Sequence, residues 1–434
     1  AEGIVLSRTS KLVIEEARSI VLDILGHYDL EEHHASCRFG KKAAVGLRAE
    51  YAYLPNRISC LSGTRLQIEW FEGALQFDEL LRSLVTIAAN KHNFGDQQVR
   101  SLTLSTVPKT WKICRTIALP TIVGTYCEMG LAAMLVERLK IEGINMSSQP
   151  DFHRALVRQA SIDKRLVTAD LTSASDSFTD ELMSMLIPKD WLKAFTLSRL
   201  DSIEMPDTKE CEPLNSFMLM GCGYTSSLQT LLFYALLKSI QRWTGFRGII
   251  SVFGDDLIYP RKMHKYVCRI FPEMGFKLNA DKTFSDLSFR ESCGADYYRG
   301  VDVRPFSPFL SFDSYRKGRD SKKVREAILY YLYNGLASRF SEYDIPITTR
   351  YLLTEIAATN SRGEILQVPR RYSEYSGVQV DVARKVWYIP YAQPMLFDDA
   401  DPSCRLTSMV VFQPNHCDVF WTEPFFWDAL RASA

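Results

Sequence analysis

The chain has no C-x-x-C pair among its ten cysteines, no apolar run long enough to cross a bilayer, and almost no excess of charge of either sign. The first absence argues against a zinc ribbon. The scatter of the cysteines over so long a chain argues against a disulfide framework, so a reducing cytoplasm is the expected environment. His33, His34 and Cys37 come closest to a ligand cluster, and His416 and Cys417 form a second pair; without a recognisable spacing between them they read as surface histidines and a buried thiol. The stretch Leu228 to Leu237 is interrupted by Gln229 and Thr230 and falls far short of the roughly 18 residues a membrane span needs. No membrane association is expected. The opening Ala1-Glu2-Gly3 lacks a basic region followed by an apolar core, so no secretory leader is expected either. Internal repeats and low-complexity linkers are also missing.

What is present is ordinary globular composition, 46% hydrophobic and 24% charged over 434 residues. That length exceeds what one hydrophobic core fills, which predicts two or three lobes. A formal net charge of +1 leaves nucleic-acid binding open, because a channel needs only local positive charge. Two basic runs qualify: Arg316, Lys317, Arg319, Lys322, Lys323 and Arg325, broken only by Asp320, and Lys109, Lys112 and Arg115 with no acid between them. Either could meet phosphates; the 316 to 325 run reads equally as a solvated face.

Helical periodicity dominates the first 105 residues. Val13, Ala17, Ile20, Val21 and Ile24 form one core-facing stripe, and Leu80, Leu81, Leu84, Ile87 and Ala88 are expected to form another. Pro108 to Pro120 reads as extended chain, followed by a helix from about Thr125 to Ile141. The middle then alternates. A strand over Leu166 to Ala169 runs into Asp170, and Ser177 with Asp180 predicts a capped helix start before Leu182, Met185 and Leu186. A helix carries Leu228, Leu231, Leu232, Ala235 and Leu236 at i, i+3, i+4, i+7 and i+8. Ile249 to Phe253 and Leu257 to Tyr259 read as two strands joined by a tight turn at Gly254, Asp255 and Asp256, followed by a helix from about Met263 to Phe271 stopped near Pro272. Beyond residue 305 helices return, the clearest through Val324, Ala327, Ile328, Tyr331 and Leu332. The aromatic-rich tail (Trp387, Tyr388, Tyr391, Phe420, Trp421, Phe425, Phe426, Trp427) receives no assignment.

Adjacent aspartates in a hairpin turn raise each other's pKa unless a cation lies between them. With Asp170 at the end of a neighbouring strand, Asp255 and Asp256 compose an oxygen-donor set suited to two Mg²⁺, a two-metal arrangement for phosphoryl transfer to a hydroxyl. Gly254 permits the turn. Gly-Asp-Asp alone also marks ordinary turns; here it is flanked by apolar strands and preceded in order by two further motifs.

V-T-A-D-L-T-S-A-S-D (Val167 to Asp176), G-C-G-Y-T-S-S-L-Q (Gly221 to Gln229) and F-G-D-D-L-I (Phe253 to Ile258) resemble polymerase motifs A, B and C. S-T-V-P-K-T-W-K-I-C-R (Ser105 to Arg115), F-K-L-N-A-D-K-T-F (Phe276 to Phe284) and F-R-E-S-C-G-A-D-Y-Y-R-G-V-D-V (Phe289 to Val303) resemble the replicase catalytic subunit of single-stranded RNA bacteriophages, the leviviruses. The resemblance covers about residues 100 to 305. It implies an α+β right hand with an antiparallel palm sheet carrying the site and helix-rich fingers and thumb: fingers over 1–163, palm over 164–304 with a fingers-type insertion near 190–220, and thumb with a C-terminal region over 305–434. It further implies RNA-directed RNA polymerase activity by two-metal nucleotidyl transfer, with initiation at the template 3' end and no primer.

Residue by residue, the resemblance makes Asp170, Asp255 and Asp256 ligands of Mg²⁺, with Mn²⁺ able to substitute. Lys109, Lys112 and Arg115 grip the incoming triphosphate. Asp176 checks the ribose 2'-hydroxyl, assisted by Thr225 and Gln229, although Met220 and Gln229 depart from the usual Ser and Asn of motif B. Lys282 matches the motif D lysine that protonates pyrophosphate. Gly223, Cys293, Tyr298 and Arg299 are expected against RNA. The implied partners are RNA template and product, nucleoside triphosphates, host elongation factors Tu and Ts and an RNA-binding ribosomal protein, all in the cytoplasm of a bacterial host. Three other readings use similar carboxylates: a reverse transcriptase, disfavoured because the Y-x-D-D turn is missing; a silent RNA-binding scaffold, disfavoured because all three carboxylates remain; and a metal-dependent nuclease, which has no need of the Lys109 to Arg115 cations.

Overall fold

A computed structural model describes residues 6–91, 99, 101–109, 113–205, 208, 210–306, 321–339, 347–359, 365–370, 375–380, 389–391, 408–413 and 416–420. The chain divides into two compact units, Ala1–Val303 and Arg304–Ala434. It is an α+β protein, as the motifs imply.

The first unit is organised around two buried helices. Helix α1 (Arg8–Leu25) starts where the Ser7 side chain accepts from the Ser10 N–H, and its Val13, Ala17, Ile20 and Val21 stripe is buried. It packs on the helix predicted from Leu228 onward, which runs from Thr225 to Thr244 and ends on Gly245 in the left-handed conformation. Every residue from Ser227 to Leu237 of that helix is buried, so it is enclosed on all sides and not on one stripe. Each such aliphatic side chain contributes on the order of 1.5–3 kcal/mol. The helix expected from Thr125 begins at Ile122, capped by the Thr121 hydroxyl, and runs to Ile141; it too is buried nearly all round.

Two strands, Leu102–Pro108 and Cys114–Leu119, form the antiparallel ribbon that Pro108 to Pro120 suggested as extended chain. Ser202–Glu204 adds to it in parallel and Cys211–Pro213 pairs in turn with that strand. The sheet beneath the carboxylates has the order β7-β8-β3, all antiparallel, where β3 is Leu166–Ala169, β7 is Ser251–Phe253 and β8 is Asp256–Pro260. Phe253 pairs with Asp256, so Gly254 and Asp255 alone make the turn, and Asp256 is already the first strand residue. The buried Arg290 guanidinium donates to the carbonyls of Leu166, Ser285 and Phe289, tying the start of β3 to the neighbouring hairpin.

Several expectations need correction. Of the stripe Leu80, Leu81, Leu84, Ile87 and Ala88, only Leu81 is buried, while Leu80 is 71% exposed: helix Glu79–Lys91 packs against Leu54–Ser59, and that contact covers only part of its apolar face. Helix Asp180–Leu186 is capped by Thr179, whose hydroxyl accepts from Leu182 N–H, and not by Ser177, which donates to the Ser173 carbonyl. The helix expected to stop near Pro272 does so: it runs over His264–Glu273 and ends one residue beyond that proline. His33 and His34 are not at the surface. His33 is fully buried, with Tyr28 Oη at 2.7 Å from Nδ1 and the Cys127 carbonyl at 2.9 Å from Nε2.

In the second unit, helices Ser321–Ala337 and Ile347–Thr359 enclose Leu329, Tyr330 and Ile356 with Val378. Strands Ile389–Tyr391, Ser408–Gln413 and His416–Phe420 form an antiparallel sheet. Arg316, Lys317 and Arg319 lie outside the described residues, as do Trp387, Tyr388, Trp421, Phe425, Phe426 and Trp427. Among the described residues, no helix is long and apolar enough to cross a membrane.

Candidate active site

Strand β3 ends at Ala169 opposite Leu257, which places Asp170 beside the β7–β8 turn. Past Asp170 the chain continues as a short strand, Leu171–Thr172, paired with Lys277–Leu278. Asn279 N–H donates to the Asp170 carbonyl at 2.9 Å, so the motif D segment is held against motif A. The turn itself is fixed from the other side: Gly254, at φ +59°, donates its N–H to the buried Thr230 hydroxyl at 2.8 Å. Thr230 sits one residue beyond Gln229 on the enclosed helix and couples motif B to motif C.

The electrostatics are those of an anionic cluster. Burial and the neighbouring Asp170 charge raise the Asp255 carboxyl above the ordinary range; its surface opens to the cavity although protein surrounds most of it. Burial and the Asp255 charge push Asp256 up to about 6, against an opposing hydrogen bond from Cys293 N–H to Asp256 Oδ2 at 3.2 Å. Lys282 Nζ stands 3.3 Å from Asp170 Oδ2. Burial lowers the lysine, but Asp170 and its hydrogen bond outweigh that and hold Lys282 above its usual value. Lys282 is the cation paired with the three carboxylates, and the Arg115 charge also acts on Asp255. Among the described residues no three His, Cys, Asp or Glu side chains form a ready-made metal-binding group. The oxygen donors and their mutual repulsion nonetheless suit hard divalent cations, which would draw Asp255 and Asp256 together.

A cavity of about 1090 Å³ opens over these groups. Asp170, Asp176, Asp255, Asp256 and Lys282 line it together with Gly223, Thr225 and Gln229 of the motif B segment and with Lys109 and Arg115 of the strand ribbon. Lys112 lies outside the described residues. Thr225 Oγ1 donates to the Leu219 carbonyl at 2.8 Å, and Asp176 accepts from Ser175 Oγ at 3.3 Å. Cys293 and Gly294, both at positive φ, form the β-turn that meets Asp256 through the Cys293 amide. Tyr298 and Arg299 stand at the other end of that hairpin, with the guanidinium 5.2 Å from the Tyr298 ring centroid, and do not line the cavity.

Sequence reasoning missed two contributors. Lys41 and Lys42 line the cavity from the N-terminal region; the paired lysines were a visible signal. The second is Glu128, 1% exposed, whose Oε2 accepts the Gly223 N–H at 2.9 Å while Oε1 has no hydrogen-bond partner. Burial pushes this carboxyl from 4.5 up to about 8, with the Gly223 amide opposing. A carboxylate raised in the folded state loses stabilisation as pH rises from its unfolded value through its folded one, here from 4.5 to about 8. Glu128→Gln, which matches the protonated acid, is therefore expected to melt higher than wild type at pH 8 and equally at pH 4.5. Thermal melts at the two pH values decide it, and an equal gap at both would refute the buried protonated acid.

Residues 1–308 match the protein family described as RNA replicase, beta-chain. The chain is 33% identical to the RNA-directed RNA polymerase beta chain of Escherichia phage MS2 over 65% of its own length and 47% of that protein's. It is 30% identical to the RNA-directed RNA polymerase subunit beta of Enterobacteria phage SP over 68% of this chain and 50% of that one. With the corresponding subunit of Escherichia virus Qbeta the identity is 35%, over 46% and 34%. The chain spans about half the length of the first two of these relatives. A solved RNA-dependent RNA polymerase of a human picobirnavirus aligns at a TM-score of 0.40 and 12% identity, over 61% of this chain and 58% of that one, too low to carry any inference. The family match extends over the whole cavity and every motif around it, and the chain belongs to the RNA replicase beta-chain family.

Proposed function

We propose that this chain is an RNA-directed RNA polymerase that copies phage genomic RNA from nucleoside triphosphates, starting at the template 3' end without a primer. The observation that carries the reading is the cavity in which three aspartates from two adjacent strand ends face Lys41, Lys42, Lys109 and Arg115. Residues 1–163 then act as fingers, 164–304 as palm and 305–434 as thumb with a C-terminal region.

In the reaction, the 3'-hydroxyl oxygen bonds to the α-phosphorus, the bond to the bridging oxygen breaks, and pyrophosphate leaves. Lys109 and Arg115 hold the triphosphate as fixed cations, which positions the α-phosphorus at no further entropic cost when the hydroxyl arrives. Asp176, with Thr225 and Gln229 across the cavity, reads the ribose. Lys282, kept protonated by Asp170, is the proton source for the departing pyrophosphate. Asp170, Asp255 and Asp256 would hold two Mg²⁺, which supply a lowered pKa at the attacking hydroxyl and charge neutralisation at the leaving group.

The test is incorporation of labelled UTP on a defined single-stranded RNA template, with Mg²⁺ or Mn²⁺ and with host elongation factors Tu and Ts and the ribosomal protein added or omitted. Full-length complementary product that requires the template and all four ribonucleotides is expected. Incorporation of deoxynucleotides instead would establish the reverse transcriptase reading, and template cleavage without incorporation the nuclease reading.

A further inference from the structure

The end of the β7-β8-β3 sheet away from the carboxylates opens on a second cleft of about 1080 Å³. Its lining includes Lys164, Arg165, Arg247, Arg261, Lys262 and Lys265, against Asp286 as the only acid among its described residues. Arg261 pairs with Asp286; the other five cations form no ion pair among the described residues, and all are exposed. They converge because the strands end there. Leu166 pairs with Pro260, and Arg261 N–H donates to the Arg165 carbonyl at 2.8 Å, so the β3 entry and the β8 exit present their basic residues side by side. Asp170 lies four residues along the strand from Leu166, on the order of 13 Å at the rise of a β-strand. The cleft is therefore separate from the catalytic cavity, and the two share no lining residue.

Five unpaired cations in one cleft repel one another, and in a chain of net charge +1 they are not the overflow of a generally basic surface. None of the five is buried. Their arrangement favours a polyanion. Beside the lining residues Phe246 and Lys265 lies a second feature: Tyr266 packs on Phe246 and carries the Lys265 ammonium 4.8 Å from its centroid, and Trp243, 46% exposed, stands edge-on to Tyr266 at 5.5 Å. A cation-lined groove bordered by an exposed aromatic ring matches single-stranded nucleic acid, whose bases stack while its phosphates pair, better than an acidic polypeptide. We propose that this cleft is a second RNA-binding site, holding single-stranded RNA outside the catalytic cavity; the choice of RNA over DNA rests on the polymerase reading above.

The test measures binding and catalysis separately on the full chain. In fluorescence anisotropy with a labelled oligouridylate of about 30 nucleotides, Arg165→Glu/Lys262→Glu/Lys265→Glu is expected to bind at least tenfold more weakly. The slope of log affinity against log salt should fall by about 2, the share of three single-strand phosphate contacts. Trp243→Ala should weaken binding without changing that slope. In the incorporation assay the triple variant should raise the KM for template and leave kcat within twofold. Loss of all incorporation by wild type would sink the polymerase reading and leave the binding result standing. Unchanged affinity and slope would overturn the second site, as would displacement of the RNA by polyglutamate as readily as by unlabelled oligouridylate. Should the triple variant melt early, Lys262→Ala/Lys265→Ala and photocrosslinking of 4-thiouridine RNA to the peptides around Trp243 decide the question, with crosslinks confined to the catalytic cavity counting against it.

Discussion

Replacing Asp255 by asparagine is expected to lower nucleotide incorporation by a factor of roughly 10³ or more, the scale at which a preorganised charge at the reacting centre acts, while leaving the protein at least as stable as wild type. The two halves of the expectation have one cause. Asp255 stands between Asp170 and Asp256 in partial burial, and the like charges raise its carboxyl and that of Asp256. Asparagine keeps the shape and removes the repulsion, so the fold gains what the chemistry loses. A residue kept for packing would behave in the opposite way. Adding Mg²⁺ separates the cases further, since a ligand that binds only the folded state raises the melting temperature. Wild type should gain several degrees in millimolar Mg²⁺ and the variant much less. The idea fails if Asp255→Asn melts well below wild type, or if both proteins respond equally to Mg²⁺.

How much of this site was legible in the sequence depends on whether the signal was local. Asp170, Asp255 and Asp256 could be read because each lies at the end of a short apolar strand, and strand, turn and carboxylate are contiguous in the chain. The hairpin register confirms the pattern to within one residue. The helix over Thr225–Thr244 was found for the same reason, but the burial of every residue from Ser227 to Leu237 was not, because a periodic stripe marks one buried face and does not reveal a second. The reverse error occurred at Leu80, Leu84 and Ile87, where a good stripe leaves these three side chains exposed. Thr179 displaced Ser177 as a cap because either hydroxyl suits the position, and the Ser177 hydroxyl is taken by the Ser173 carbonyl.

Glu128 is the instructive miss. It is the one charged residue between Ile122 and Val136, so a helix buried on all sides would have forced it inside unpaired. The sequence contained that clue, but only the fold shows that its partner is the Gly223 amide of motif B, 95 residues away. The basic cleft is harder still. Its cations come from three separate segments, Lys164 and Arg165, Arg247, and the short run Arg261, Lys262 and Lys265, and nothing in the sequence says that the three meet. Only the strand pairing of Leu166 with Pro260 brings them together.

The motif B loop gives the second large effect. Gly221 adopts φ +123°, outside the left-handed well that asparagine or aspartate tolerates, and a Cβ there would stand 2.1 Å from the Ala118 carbonyl oxygen. That oxygen belongs to the strand ribbon carrying Arg115, and the neighbouring Ala118 N–H is bonded to the Met220 carbonyl at 2.9 Å, so neither backbone can retreat without breaking the link between them. Gly221→Ala is therefore expected to cost about 3 kcal/mol or more, from the strained backbone together with the lost hydrogen bond. The loop bears Gly223 and Thr225 on the cavity wall, and a shift of about 1 Å there is expected to lower incorporation by roughly 10²-fold. Gly223→Ala is the control. Its φ is not in the positive range, and its added methyl would meet Met129 Sδ at 3.2 Å and Glu128 Cβ at 3.3 Å, contacts that ask for a shift of tenths of an ångström, where Gly221 meets a backbone oxygen at 2.1 Å. Denaturant unfolding of both variants, with incorporation measured alongside, should rank Gly221→Ala as the more damaged on both counts. Equal stability of the two would mean that Gly221 is not the clamp between motif B and the strand that carries Arg115.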